Sequence, residues 1–392
     1  MTQRVLIAFD KFKDAMTAQR ASAITGREIK KLHPDWHIDH APLTDGGEGF
    51  CQILTEAAGG TIESVPAFGP RMKQLHAPIG MVDARKLPVR ARELLFGAPD
   101  VEAPERLAVL EMASASGLAL LPLQDRDPWH ASSYGTGQLI RAASEMGAGA
   151  IVLGVGGSAT NDLGLGALAA LGLEFRDTTG GRIRPPFPVS WHNVERIEGE
   201  VFPAIPPIAI ACDVSNPVLG SNGSSAIYGL QKGLTALDLP KLETLMERMA
   251  ALLCTHCDKD FLTATSTPGA GAAGGIAFGL MTAARARLVP GFELVAAWLD
   301  LDARIEAADF VITGEGRFDR SSLSGKGPGA IVHRVLEKGR RTLVFAGAVE
   351  VDEADLAETG EIYAITPSGT PFSEALSRAD QFLAAAIAGH FS

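Results

Sequence analysis

Charged residues and glycines in this chain gather in short loops, each placed directly after an apolar run. Asp10, Lys11 and Lys13 follow Val5–Phe9. Asp45 and Glu48 stand among Gly46, Gly47 and Gly49. Glu315, Arg317 and Asp319 follow the run 309–313. Three more loops lie in the middle of the chain. One is Gly154-Val-Gly-Gly-Ser-Ala-Thr-Asn-Asp162, which carries Gly156, Gly157, Ser158, Thr160 and Asn161. The second is Cys212-Asp213-Val-Ser-Asn-Pro217, and the third runs from Gly269 through Gly271 and Gly274 to Gly275. Glycine-rich turns that open a helix present backbone N–H groups to an anion. Carboxylates beside them hold a divalent cation or take a proton, and lysine and arginine meet phosphate oxygens. Together these are the parts that phosphoryl transfer needs. Each loop alone also reads as an ordinary turn, since Asp, Gly and Ser are common turn residues. It is their recurrence at strand ends that points to a site.

Other chemistries find less support. The 269–275 loop contains GxGxxG, the dinucleotide fingerprint, but the preceding LTATSTP is a poor strand and no clear βαβ unit follows. An anion cradle or close helix packing suits it better. Gly325-Lys326 does not complete a Walker A motif, because Arg320 and Gly327 occupy the positions that need Gly and Ser/Thr. GxSxG, HExxH and the protein-kinase HRD/DFG set are absent.

The elements that must position these loops are legible. Val5–Phe9 is a short apolar run, as in a strand buried on both faces. Thr17 is the expected N-cap of a helix to about Leu32. Residues 36–43 read as a strand and 50–58 as a helix. The C-terminal part repeats the plan. It has strands at 309–313, 342–346 and 361–366, a glycine- and serine-rich loop at 314–328, and helices to about 338, at 352–358 and at 373–389. Two units at the start and three at the end predict five parallel strands in a Rossmann/flavodoxin-like, doubly wound α/β sheet.

Residues 65–290 differ in texture. They open with Pro- and Gly-punctuated antiparallel strands, pass a charged stretch at 83–106, and carry strand-like runs at 107–112, 150–155 and 207–212. They are expected to form a second α/β domain inserted into the first, which is made of 1–64 and 291–392, with the active site in a cleft that closes over its ligands. Two contiguous domains split near residue 200 are the alternative.

Composition bounds the rest. Of 392 residues 43 are glycine, well above the roughly 7% of average proteins. The net charge of −11 argues against a nucleic-acid binder, which needs a basic face. No secretory leader or membrane-spanning run is recognisable, so a cytoplasmic protein is expected. The four cysteines make no disulfide framework, and Cys254 and Cys257 are expected to be a buried or half-buried helical pair rather than zinc ligands.

At these loops the sequence resembles the bacterial glycerate kinase family, of the glycerate 2-kinase type. The resemblance spans nearly the whole chain. It is carried by DKFK (10–13), TDGGEG (44–49), EMASASGL (111–118), SYGTG (133–137), GGSATND (156–162), ACDVSNP (211–217), YGLQKG (228–233), PGAGAAGG (268–275), TGEGRFD (313–319) and SLSGKGP (322–328). GKGP stands where GKAP is common, and 83–106 has no clear counterpart. The resemblance implies ATP- and Mg²⁺-dependent phosphorylation of D-glycerate, with 2-phosphoglycerate favoured over 3-phosphoglycerate. It also implies the discontinuous Rossmann-like domain with its insert. Partners are then small molecules, not nucleic acid or membrane, and the protein is a monomer or homodimer. A dinucleotide-dependent hydroxyacid dehydrogenase and a non-catalytic small-acid binding protein are the rivals. By residue type and loop placement, Lys11, Lys13, Arg317 and Lys326 are expected to meet phosphates or the glycerate carboxylate. Asp45, Asp213 and Glu315 are candidates for Mg²⁺ binding or general base, with Lys13 a further catalytic candidate. Gly46 and Gly47 join the 156–162 and 269–275 loops as anion cradles, and Asp10 and Asp319 fix loop geometry.

Overall fold

The computed structural model describes residues 2–97, 102–320, 322–324, 327–351 and 360–392. The strands of its two main sheets are, in chain order, β1 (Arg4–Phe9), β2 (His37–His40), β3 (Thr61–Phe68), β4 (Gln74–Val82), β5 (Leu107–Glu111), β6 (Ala150–Gly154), β7 (Ile208–Ala211), β8 (Arg287–Val289), β9 (Phe310–Gly314), β10 (Arg341–Ala346) and β11 (Glu361–Ala364). The chain divides into two compact units, residues 1–45 with 295–392, and residues 46–294.

The discontinuous unit holds a five-stranded sheet in the order β11-β10-β9-β1-β2. Every pairing is parallel. This is the flavodoxin-like arrangement, with the two N-terminal strands at one side and the three C-terminal ones following. Val5–Phe9 are fully buried, as a central parallel strand covered on both faces requires. Thr17 caps the helix Ala18–Leu32, its side chain accepting the Arg20 N–H at 3.2 Å. That helix lies against the C-terminal helix Ala379–Phe391, and Ile24, Ile29, Phe382, Leu383 and Ile387 join the strand side chains in one core. The 314–328 stretch is more structured than a plain loop. Arg317–Asp319 pairs with Ala348–Glu350, and a helix begins at Gly327. The helix expected at 352–358 lies outside the described residues.

The inserted unit is built on a six-stranded sheet ordered β8-β7-β6-β5-β4-β3. Its first four strands are parallel, and β4 and β3 complete it as an antiparallel hairpin. One local expectation fails. The helix Phe50–Ala57 follows β2 in sequence but packs against β4 and β5 in the inserted unit. Its buried face, Phe50, Cys51, Ile53 and Leu54, is matched by the apolar side chains of that sheet. Cys254 and Cys257 form the expected pair at the end of the helix Leu239–His256, one buried and one half-buried. Burial pushes both thiols up, Cys254 to about 11, so they stay protonated at neutral pH. No helix among the described residues is long and apolar enough to cross a membrane.

Helices Tyr134–Glu145 and Leu165–Ala170 cross closely in this unit because Gly137 carries no side chain. A Cβ there would lie 2.3 Å from the backbone oxygen of Ala167. Gly137→Ala should therefore lower stability by roughly 1–3 kcal/mol through overpacking. It does so although alanine is the better helix former by up to about 1 kcal/mol. Denaturant unfolding of the two proteins checks this; a variant as stable as the parent would contradict the close crossing.

Candidate active site

Parallel strands bring the discontinuous unit's loops to the carboxyl edge of its sheet. Asp10 follows β1 and is buried. Its N–H donates to the Gly314 carbonyl at the end of β9, and its Oδ1 accepts the Lys11 N–H at 2.7 Å. Lys11 Nζ reaches Asp45 Oδ1 at 3.1 Å, across the edge from β1 to the segment after β2. The Gly327–Glu337 helix begins against Asp10. Glu315 follows β9 directly and is half-buried, with its Oε1 shut off from solvent and without a hydrogen-bond partner among the described residues. Burial pushes its carboxyl up to about 7. The nearby carboxylates of Asp10, Asp319 and Asp45 push the same way, against a hydrogen bond from Ser322. Asp319 is held by its own N–H, which donates to Ser322 Oγ at 3.1 Å. Four expected carboxylates thus converge, Asp10, Asp45, Glu315 and Asp319, together with Lys11. Arg317 points elsewhere, exposed and 3.5 Å from Glu350. Lys13 is exposed, with its backbone against Gly316. Lys326 lies outside the described residues.

The inserted unit collects the glycine loops. The Gly46 carbonyl accepts the Gly156 N–H at 2.9 Å, and Gly47 packs against Gly156. Gly157 and Ser158 continue this turn after β6, and their N–H groups have no acceptor among the described residues. Thr160 and Asn161 are fully buried, with Thr160 Oγ1 and Asn161 Oδ1 unpartnered among the described residues. The 269–275 loop packs onto this turn rather than standing open. Gly274 has φ +74, and a Cβ on it would lie 1.9 Å from the Thr160 carbonyl. The Gly271 N–H is used by Asn216 O at 3.0 Å, and Gly269 is wedged against Leu288 and Val214. A helix, Phe261–Ser266, precedes this loop where a dinucleotide fold needs a strand. Its glycines serve close backbone approach. Asp213, at the end of β7, accepts the Phe292 N–H at 2.9 Å.

Several residues here escaped the sequence reading. Asp162 is fully buried. Its Oδ2 accepts from Ser133 N–H at 2.7 Å, Ser133 Oγ at 2.8 Å and Gly166 N–H at 3.3 Å, while its Oδ1 accepts Gly164 N–H at 3.2 Å. Burial pushes its carboxyl up and these donors oppose the shift. Glu111 ends β5 buried and accepts the Gly49 and Cys51 N–H groups at the start of the helix Phe50–Ala57. Lys232 is buried with its Nζ on Ser158 Oγ at 2.8 Å and on Thr160 O at 2.7 Å. All three stand inside stretches that carried the family resemblance, which was the one signal available for them.

Among the described residues, no three His, Cys, Asp or Glu side chains are grouped so as to hold a metal by themselves. The acidic edge still fits Mg²⁺, which keeps several waters and is bound by one or two carboxylates plus substrate phosphates. Its crowded carboxylates are the kind of donor set whose mutual repulsion a divalent cation would relieve.

Comparison with known proteins bears on the chain as a whole. The family model described as the glycerate kinase family matches residues 5–390. The glycerate kinase of Halalkalibacterium halodurans is 33% identical over 391 residues, covering 97% of this chain and 95% of its own. Glycerate 2-kinase of Escherichia coli is 32% identical over 358 residues, covering 89% of this chain and 86% of its own. A Salmonella typhimurium LT2 crystal structure assigned to glycerate kinase 2 superposes with a TM-score of 0.74 at 31% identity, covering 100% of this chain and 98% of that one.

Glu315 also gives a pH-dependent stability. Its carboxyl is raised from 4.5 to about 7, so the folded chain holds a proton that the unfolded chain releases. That contribution is whole below pH 4.5 and is lost as pH rises through about 7. In chelator-containing buffer, Glu315→Gln should therefore gain melting temperature over the parent progressively from about pH 4.5 to about 7 and hold that gain above it. A difference that stays constant over that range would contradict the assignment.

Proposed function

The chain belongs to the glycerate kinase family, and on that premise we propose that it transfers the γ-phosphoryl group of ATP to the C2 hydroxyl of D-glycerate, giving 2-phosphoglycerate. The observation that carries the reading is Glu315 at the carboxyl edge of the five-stranded sheet. It is a glutamic acid tuned to about 7, which is where a general base works best at neutral pH. Asp45 is committed to Lys11, and Asp213 accepts a helix-end N–H. Glu315 Oε1 has no partner among the described residues and is therefore the group we assign to take the proton of the attacking hydroxyl.

The remaining roles follow from residue type and placement. Lys11, hydrogen-bonded to Asp45, supplies positive charge beside the acidic edge. Asp45 is the proposed Mg²⁺ ligand in the discontinuous unit, and Asp213 is the proposed carboxylate for the same role in the inserted one. When bound, Mg²⁺ would neutralise phosphate charge and orient the transferred group. Asp10 and Asp319 hold the loops that carry Lys11 and Glu315. Gly157 and Ser158 present backbone N–H groups to an anion. Gly46 and Gly156 close that turn through their own hydrogen bond, with Gly47 packed against it. Gly274 braces the Thr160–Asn161 segment, while Gly269 and Gly271 lie against Val214, Asn216 and Pro217. The C2 choice is supported by the name of the Escherichia coli relative.

Proton-coupled ³¹P NMR of a reaction with ATP, Mg²⁺ and D-glycerate separates the outcomes. A new phosphomonoester doublet is expected, because phosphorus on C2 couples to one methine proton. A triplet would mean 3-phosphoglycerate, and no new resonance would overturn the kinase reading. Glu315→Gln, Asp45→Asn and Asp213→Asn should each lower kcat by roughly 10²- to 10⁴-fold with the fold intact. Steady-state kinetics beside circular dichroism check this, and a variant with near-normal turnover would lose its assigned role.

A further inference from the structure

We propose that Lys232 is a positioning residue that holds the turn Gly156–Thr160 in its anion-accepting form through its buried amino group, hydrogen-bonded to Ser158 and Thr160. The inference rests on the kinase reading above and names a residue that reading does not use.

Lys232 ends the short helical turn Leu230–Lys232, closed by Gly233 with φ +104. Its side chain is only 2% exposed. An ammonium taken out of water is costly unless it is paired, so a lysine that merely filled space would be better replaced by methionine. This lysine is paired in a particular way. It donates to Ser158 Oγ at 2.8 Å and to the Thr160 carbonyl at 2.7 Å, which are two successive inward-facing oxygens of one loop. The buried Asp162 carboxylate, two residues further along, supplies the opposing charge. Asp162 is itself fixed by Ser133, Gly164 and Gly166.

Two consequences follow for the loop. With Ser158 Oγ and Thr160 O turned inward, the Gly157 and Ser158 N–H groups are left without an acceptor among the described residues. Successive N–H groups over a buried cation make a nest for oxyanions. Thr160 Oγ1 and Asn161 Oδ1, both buried and unpartnered among the described residues, add polar capacity beside it. The matching ligand is an anionic oxygen group, either a phosphoryl group of ATP or the carboxylate of glycerate. The chemistry is shared, and the two sources are told apart by which ligand loses affinity.

The test uses the full chain with Lys232→Met and Lys232→Gln, neither of which keeps the charge. Both KM values, kcat and the melting temperature are read for each. The expected result is a rise of roughly tenfold or more in the KM of one ligand, with kcat changed much less, as loss of a charge-assisted contact predicts. A rise for ATP identifies a phosphoryl group, and a rise for D-glycerate identifies the carboxylate. A loss confined to melting temperature, with both KM values close to the parent's, would overturn the proposal and leave Lys232 a structural ion. Hydrogen exchange on the parent protects the test if the variants fail to fold. Peptides covering 156–162 should gain protection with ATP or with D-glycerate added alone, and no change with either would also overturn it. Absence of turnover by the parent, with loop protection present, would instead fault the kinase reading.

Discussion

A parallel strand cannot be joined to its neighbour by a tight turn, and this constraint shapes both units of the protein. Each crossover must leave the sheet, build a helix and return, so the strands share one direction and their outgoing loops share one edge. In the five-stranded sheet β1 lies between β9 and β2 with all pairings parallel. The loops that follow these three strands therefore emerge side by side. They carry Asp10 and Lys11, Asp45, and Glu315. β1 and β9 are buried and largely apolar, while the outer strand β2 is polar and partly exposed; their shared task is to hold these loop ends in register.

Charge is organised differently in the two units. At the edge of the five-stranded sheet carboxylates are gathered closely, and burial together with the neighbouring carboxylates pushes the Glu315 carboxyl up. In the inserted unit the opposite sign is hidden: a single ammonium, Lys232, lies beneath a glycine turn and is balanced by Asp162. Burial pulls that ammonium down to about 7 while the Asp162 carboxylate pulls back. Crowded acids suit a divalent cation and a proton acceptor. A buried cation under free N–H groups suits an oxyanion. A chain whose net charge is −11 thus keeps local sites for both signs.

Much of this was legible in the residues. The three inner strands are short apolar runs each ended by a polar loop, because a strand covered on both faces has little freedom of composition, and the half-exposed outer two follow from the repeated strand–loop–helix plan. Asp10, Asp45, Glu315 and Asp319 were recognisable by position for the same reason. What sequence could not show was partnership. The helix Phe50–Ala57 follows β2 but packs on β4 and β5, since apolar matching overrides adjacency. The glycines at 269–275 imitate a nucleotide fingerprint, yet Gly274 is there because the Thr160 carbonyl leaves no room for a side chain. Lys232 looks like a solvated lysine in a polar stretch. Only the fold reveals that it ends inside the protein on Ser158 and Thr160, because no local period encodes a contact 74 residues away.

The most direct test of the central claim is the pH dependence of kcat/KM for D-glycerate in the parent and in the residual activity of Glu315→Gln, at saturating ATP and Mg²⁺. If Glu315 takes the proton of the attacking hydroxyl, the parent's rate rises with pH along a limb set by this carboxyl, and that limb is missing from the variant's profile. The same rising limb in Glu315→Gln would show that another group is the base, contradicting the account.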